Sequence, residues 1–298
     1  MANANHDGAA QDALRQGDVE ACHAALVAAV KAEPGDARHR AFLAQLMMVE
    51  GQWDRAAKQL DVLGNLDATA LDLVTDLKAG IEAEQVRAEV MAGKRTHAIF
   101  GQPAEWIAQM VEALRLDAQG QPEQAHALRE EAFAAAPASP GDADGARFDW
   151  LSDADQRFGP VLEAVMNGEY HWIPFDAIAT LSLEPPRDLR DLVFTVGIVT
   201  LANGGEWPIM VPTRYPGSDT SSGADPAHAL ARRTDWDVLH GEHYAGTGQR
   251  MLATSETDLP LLDLRAITFD RAAEAEVAKA AAAPADGEAA SAPDDHGG

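Results

Sequence analysis

A strand–turn–strand pattern in the second half of the chain constrains the fold more than any other feature. Pro185-Pro186 opens it, and because proline disfavours helix, the chain enters the segment extended. Leu192 to Leu201 is apolar and rich in β-branched residues, as is typical of a buried strand. Asn203-Gly204-Gly205 tolerates the positive φ of a hairpin turn before Trp207 to Val211 returns. We predict a β-hairpin whose second strand, interrupted by Pro208, lies at a sheet edge.

Residues 9–138 are predicted to be helical and to contain an internal repeat. Alanine, leucine, glutamate and glutamine dominate, and apolar positions recur at spacings of three and four. Gly17, Gly51 and Gly120 are separated by one and then about two periods of roughly 34 residues, and a small alanine follows each. A glycine between paired helices at this period is typical of tetratricopeptide repeats. The pattern predicts a tetratricopeptide-like (TPR-like) α-superhelix, with a plain helical bundle as the alternative.

The composition changes after the helices, which indicates a multidomain chain with α and β parts. Residues 139–147 are small, polar and rich in proline and glycine, as expected of a linker. All of the tyrosines and most of the tryptophans follow, so residues 148–270 are predicted to form a small β-rich α+β domain, hairpin-built and barrel-like. Residues 1–8 are predicted to be disordered, and residues 271–298 form an alanine-rich, acidic, low-complexity tail.

Two short helices are predicted within the β-rich part. Leu162 to Met166 is interpreted as a helix that Ser152 to Asp155 could cap and Asn167-Gly168 could end. Pro226 is well placed to start a second helix, over about 227–231.

The charge balance argues against nucleic acid as a partner. The chain has 48 acidic and 23 basic residues and a formal charge of −25, with no basic block that could follow a phosphate backbone. Such a surface favours basic protein partners. With one cysteine, no secretion signal and no apolar run long enough to cross a bilayer, we expect a cytoplasmic protein without membrane insertion.

No pattern predicts a catalytic, cofactor or metal site. His240-Gly241-Glu242-His243 offers two imidazoles and a carboxylate, but zinc needs three or four fixed ligands, so surface histidines are expected. Gly246-Thr247-Gly248 lacks the third glycine of a dinucleotide loop and is interpreted as a turn. Cys22 is predicted to be a core thiol. Asp153 and Asp155 are interpreted as a helix cap and solvated charge.

A set of polar and aromatic residues in the β-rich part is the candidate partner-binding surface. Arginine, tyrosine and tryptophan are favoured where protein partners bind most tightly. The alternative is a structural network of salt bridges and turns. The candidates are Arg187, Asp188, Arg190, Asp191, Trp207, Arg214, Tyr215 and Arg250.

Seven motifs in a fixed order resemble the ImpE/SciE/TagJ family of accessory proteins of bacterial type VI secretion. The resemblance covers nearly all of residues 148–269, and the helical first half fits the TPR-like domain of the same family. The motifs are RFGPVLEAVMNGEYHWIPF (157–175), PPRDLRDLVF (185–194), NGGE (203–206), VPTRYPGS (211–218), ARRTDW (231–236), GTGQRML (246–252) and LLDLRAITF (261–269).

The resemblance implies a non-enzymatic adaptor. Members of this family are associated with the N-terminal helix of the small subunit of the contractile sheath, and with the AAA+ unfoldase ATPase that disassembles the contracted sheath. An amphipathic partner helix would bury its apolar face in a groove, and an acidic receptor would favour basic flanks. Two alternatives stay open: a hydrolase or ligand-binding protein with a cleft around Arg214, Tyr215 and Arg250, or a TPR chaperone for carboxyl-terminal tails.

Overall fold

The computed structural model describes residues 3–99 and 104–272, and eight α-helices lie within them. Seven of these helices precede the strand-rich part, and none in the described ranges is long and apolar enough to cross a membrane. The helices are α1 (Asn3–Gln16), α2 (Val19–Ala32), α3 (Ala37–Val49), α4 (Trp53–Leu66), α5 (Leu71–Met91), α6 (Glu105–Ala118), α7 (Pro122–Ala135) and α8 (Pro226–Ala229).

Three helical hairpins, α1–α2, α3–α4 and α6–α7, dominate the first half. The longer helix α5 lies between the second and the third hairpin and packs against α4. A glycine with positive φ makes each hairpin turn: Gly17 at 82°, Gly51 at 75° and Gly120 at 73°. These glycines were predicted as turns from their spacing, and that prediction is confirmed. The superhelical, TPR-like arrangement stays a prediction. Helix α1 begins at Asn3, earlier than the sequence indicated.

Fourteen β-strands lie in the described ranges, all but one of them after residue 140. They are β1 (Ala98–Ile99), β2 (Gly141–Ala143), β3 (Ala146–Phe148), β4 (Leu151–Asp153), β5 (Val161–Met166), β6 (Glu169–Pro174), β7 (Ile178–Leu183), β8 (Phe194–Leu201), β9 (Glu206–Pro212), β10 (Thr234–His240), β11 (His243–Gly248), β12 (Met251–Thr254), β13 (Asp258–Pro260) and β14 (Ala266–Phe269).

Nine strands form the main sheet, in the order β1-β6-β5-β9-β8-β7-β14-β2-β3. Its pairs are antiparallel except β1–β6. The remaining strands form a three-stranded sheet, β13-β12-β4, and the separate hairpin β10–β11. The strand-rich second half is as predicted, whereas no pairing among the described strands closes the main sheet into the expected barrel.

The predicted hairpin is present as β8–β9, with Phe194 opposite Pro212 and Thr200 opposite Glu206. Its expected position at a sheet edge was wrong, because β9 lies between β8 and β5. Proline is tolerated there because β5 pairs with β9 only at Ile209 and Met210, so Pro208 stands beyond the end of that pairing.

The helix predicted over 162–166 was also wrong, because these residues belong to strand β5, which is buried throughout. Val161 and Val165 face the core shared with the helices, whereas Leu162 and Ala164 face a second core built from strand residues. A strand that is buried on both faces shows a continuous apolar run, which periodicity cannot distinguish from a buried helix. The following turn at 167–168 therefore joins two strands, β5 and β6.

The helices and the sheet share one core. Leu77 of α5 and Met110 of α6 belong to the same buried cluster as Trp172 of β6 and Phe194 of β8. Residues 139–147, where a linker was expected, include β2 and the start of β3. The predicted domain boundaries stay a prediction, and the acidic tail from residue 273 lies outside the described residues.

Candidate functional site

A buried arginine–carboxylate network, made of Arg87, Asp153, Glu163, Tyr215 and Arg250, joins α5 to the strands. Arg87 donates two hydrogen bonds to Glu163, from Nε at 2.8 Å and from Nη2 at 2.7 Å. Arg250 bonds both Glu163 and Asp153, and the hydroxyl of Tyr215 donates to Asp153 Oδ1 at 2.9 Å. Paired, fully hydrogen-bonded charges are the form in which ions are tolerated in an interior.

The two guanidinium groups decide the charge of Glu163. Burial raises the pKa of this carboxyl group, but Arg87 and Arg250 outweigh burial and lower the pKa to about 2. The hydroxyl of Tyr170 also bonds Glu163, and Trp172 Nε1 donates to that hydroxyl at 2.8 Å. Glu163 is therefore ionised near neutral pH, which makes it unsuited to proton transfer there.

Three of the predicted partner-binding residues lie in the interior. Arg214, Tyr215 and Arg250 are 5%, 1% and 0% exposed, so none offers a surface for a partner to contact. Arg214 Nη1 donates to the carbonyl oxygens of Val49 at 2.8 Å and Ala229 at 2.6 Å, which caps the end of α3. These arginines and Tyr215 belong to the structural network that the sequence offered as the alternative.

A fourth candidate, Asp191, is also buried. Its Oδ2 accepts the backbone N–H groups of Arg187 at 2.7 Å and Asp188 at 2.8 Å, which fixes the 3₁₀ turn Leu189–Leu192. Gln45 Oε1 of α3 accepts the N–H of Arg190 at 3.1 Å, so the turn is held against the helices. The carboxylate therefore has a structural role in this turn.

The remaining candidates reach the surface without forming one site with the buried ones. Arg187 and Asp188 are exposed, Arg190 is half-buried, and Trp207 is exposed on β9. Arg190 lines a groove of about 410 Å³ between α5 and strands β8 and β9.

Asp153 and Asp155 were predicted as solvated charges, and this interpretation was wrong. Both are buried, at 2% and 0% exposure. Asp155 pairs with Arg157 and accepts the N–H of Gly246 at 2.8 Å. Arg250, which pairs with Asp153, and Gly246, which bonds Asp155, lie more than 90 residues along the chain, beyond the reach of local sequence patterns.

The space beside the arginine–carboxylate network is too small for a substrate. The cavity lined by Trp53, Arg87 and Arg214 has a volume of about 20 Å³. A single water needs about 10–15 Å³ when the volume is measured in this way. The cavity at Arg214 and Tyr215 therefore has no room for the substrate of the enzyme alternative.

An aromatic groove of about 500 Å³ is lined in part by the β10–β11 hairpin. We define its walls as Phe133 of α7, Trp150 before β4, Trp236 of β10 and Tyr244 of β11. Three of these walls are solvent-exposed: Trp150 at 44%, Trp236 at 39% and Tyr244 at 39%. Exposed aromatic rings around a concavity are characteristic of protein-binding surfaces.

The buried network adjoins the aromatic groove. Asp153 is one of the residues that line the groove, and Trp236 packs on Tyr215 with ring centroids 5.6 Å apart. The carboxylates that line the groove are Asp153, which is buried, and Asp258, which is exposed. Sequence reasoning missed this site, although the concentration of tryptophan and tyrosine after residue 148 was its signal.

The histidines of the β10–β11 turn are not the isolated surface groups that we expected. His243 is buried, and its Nδ1 lies 3.0 Å from Nδ1 of His126 on α7. Glu130 of the same helix lies 2.8 Å from Nε2 of His243. The folded chain thus brings imidazoles and a carboxylate together from two distant segments. Cys22, by contrast, is buried in the core as predicted.

Comparisons with known proteins give a consistent result over most of the chain. The sequence profile of the ImpE protein family matches residues 145–268. The type VI secretion system accessory component TagJ of Pseudomonas aeruginosa is 46% identical over 261 residues, which cover 88% of this chain and 91% of that protein. The crystal structure of protein VPA1032 from Vibrio parahaemolyticus has a TM-score of 0.80 at 25% identity, covering 87% of this chain and 97% of that one.

Proposed function

The chain belongs to the ImpE/SciE/TagJ family, and on that premise we propose that it is a non-enzymatic accessory component of a bacterial type VI secretion system. It acts in the cytoplasm as an adaptor that binds the N-terminal helix of the small subunit of the contractile sheath. Through this contact it influences recycling of the sheath by the AAA+ unfoldase. The 46% identity to TagJ, a type VI secretion system accessory component, supports the general part of this proposal.

The aromatic groove is the observation that carries the binding part of the proposal. An amphipathic helix recognised in a groove inserts a few apolar side chains on one face. Trp150, Trp236 and Tyr244 offer flat, exposed apolar surface for such side chains, and rigid aromatic rings lose little conformational entropy on binding.

The acidic charge of the protein also favours an amphipathic helix with basic flanks as the partner that binds in the groove. The exposed Asp258 lines the aromatic groove, and the whole chain carries −25. A helix with basic residues flanking its apolar face would be steered toward this surface, and its association would slow as the salt concentration rises.

The alternative of a hydrolase has weaker support. Its proposed residues, Arg214, Tyr215 and Arg250, are buried and fully engaged in structural contacts beside a cavity of about 20 Å³. The groove of about 500 Å³ is lined mainly by aromatic and small side chains. We therefore propose a binding role for the groove.

Calorimetric titration tests the proposal. The full chain is titrated with a synthetic peptide of the N-terminal helix of the cognate sheath small subunit, and a scrambled peptide of equal composition is the control. Saturable binding in the micromolar range, about −8 kcal/mol, with a negative heat-capacity change from apolar burial is expected. No binding up to about 1 mM, or equal binding of the scrambled peptide, would contradict it.

A further inference from the structure

Four side chains from two distant elements converge beside the aromatic groove. His126 and Glu130 are one turn apart on α7 and share a helix face. His240 and His243 are opposite each other across the β10–β11 turn, so their side chains share a face of the hairpin. The ring centroid of His126 lies 4.2 Å from that of His243 and 5.3 Å from that of His240.

A hydrogen bond to Glu130 fixes the tautomer of His243 in the metal-free chain. Glu130 Oε1 accepts the Nε2–H of His243 at 2.8 Å, so Nδ1 of His243 carries a lone pair directed at His126. In the metal-free chain this bond therefore fixes the tautomer that presents an unprotonated Nδ1 to a cation.

We propose that His126, Glu130 and His243 bind one first-row divalent cation of the Zn²⁺ type. One ligand atom from each residue lies within 4.8 Å of the other two. Tetrahedral Zn²⁺ with bonds of about 2.0 Å separates two nitrogen ligands by about 3.3 Å. The Nδ1 atoms of His126 and His243, 3.0 Å apart, need only a small displacement to reach that separation.

Cation binding requires a proton to move on His126 and a fourth ligand to complete the tetrahedron. When Nδ1 of His126 coordinates the cation, its proton moves to Nε2, so the imidazole stays neutral. Glu130 is exposed, so on cation binding its carboxylate turns from the Nε2–H of His243 to the cation, and that N–H then donates to water. Water or the adjacent His240 takes the fourth position, as in zinc sites with three protein ligands.

The local backbone accommodates the site. Gly241 has a φ of 56°, and a Cβ at this position would lie 3.2 Å from the ring of His126, so glycine permits the close approach of turn and helix. The charge of Arg129, which lies on α7 between two of the ligands, is offset by an ion pair with Asp117. Bound cation would fix the β10–β11 hairpin to α7.

Cobalt titration tests the site independently of sheath binding. The full chain, purified without a polyhistidine tag and freed of metal by chelation, is titrated with Co²⁺, whose visible absorption reports tetrahedral coordination. One equivalent should bind, and Zn²⁺ should displace it. His126→Gln and Glu130→Gln should each weaken Co²⁺ binding by roughly tenfold or more.

His171→Gln, which removes a histidine of β6 outside the cluster, is the matched control and should bind Co²⁺ as the wild type does. Both test substitutions lie on the partly exposed side of α7, and circular dichroism checks that the variants are folded. No saturable Co²⁺ absorption up to about 1 mM would overturn the proposal. An affinity that His126→Gln leaves unchanged would also overturn it.

Discussion

At the scale of single residues, paired charges connect the helical part to the sheet. Arg87 extends from α5, Glu163 from β5, and Arg250 from the residue before β12. Each guanidinium faces a carboxylate, so the interior holds compensated pairs. Removing one member leaves an uncompensated buried charge, which costs far more than an exposed ion pair contributes.

Glu163→Gln should therefore destabilise the protein strongly. The neutral amide leaves Arg87 and Arg250 without their shared carboxylate, and a loss of about 3–5 kcal/mol in the free energy of unfolding is expected. Urea unfolding at neutral pH measures the loss. Asp270→Asn, which breaks the exposed pair with Arg147, is the control and should leave the midpoint near that of the wild type. Equal effects of the two substitutions would contradict the structural role of the network.

Burial was the residue property that the sequence could not supply. Arg214, Tyr215 and Arg250 could be recognised as unusual from their residue types and turn context, but not as interior groups. Asp153 lies 97 residues before its partner Arg250, so local sequence spacing cannot predict their ion pair. Without that partner, a carboxylate in a polar segment is assigned to solvent, which explains the error at Asp153.

His97 predicts a pH dependence of stability. Burial lowers its pKa from 6.5 to about 4, and its imidazole ring contacts the rings of Tyr170 and Trp172. Between these pH values the unfolded chain binds the proton and the folded chain does not, so stability falls as the pH falls. The slope due to this group is up to about 1.4 kcal/mol per pH unit.

Comparison of wild type with His97→Gln isolates this contribution, because glutamine does not titrate. Urea unfolding at several pH values from 7 to 4 should show the wild type losing stability relative to the variant. Parallel curves over this range would show that His97 does not titrate differently in the folded and unfolded chains.

At the scale of elements, the sequence predicted the turns between helices correctly, but it did not predict which segments form inner strands of the sheet. The turns at Gly17, Gly51 and Gly120 depend on the conformational freedom of glycine, which is a property of the residue itself. Strand β5 and the inner position of β9 depend on what packs against them. The apolar run of β5 is the same whether helices or strands cover its faces, so its sequence did not identify it.

The glycine turns give a matched pair of substitutions. Gly120→Ala places a side chain in a left-handed conformation with no atom within 4 Å, so backbone strain of about 1–2 kcal/mol is the expected loss. At Gly51 a Cβ would also overlap Asp219 and lie 2.7 Å from Ser221 Oγ, so Gly51→Ala should cost roughly 1–3 kcal/mol more. Thermal or urea unfolding measures both, and equal losses would show that the 219–222 loop does not pack on this turn.

At the scale of the whole molecule, the main sheet connects a core shared with the helices to a second core of strand residues. The aromatic groove lies where α7, β4 and the β10–β11 hairpin meet. Phe133, Trp150 and Trp236 come from separate parts of the chain, and only the packing of these elements brings them together. The family could therefore be recognised from sequence motifs, whereas the surface proposed for its partner could not.

Peptide affinity in two tryptophan variants tests most directly whether the aromatic groove binds the sheath helix. Trp236 and Trp207 have similar exposure, 39% and 36%, but only Trp236 lines the groove. By calorimetry, Trp236→Ala should weaken binding of the peptide about tenfold or more, or at least about 1.4 kcal/mol, while Trp207→Ala stays close to the wild type. Weakening by Trp207→Ala alone would contradict the account and assign the partner to the exposed surface of β9.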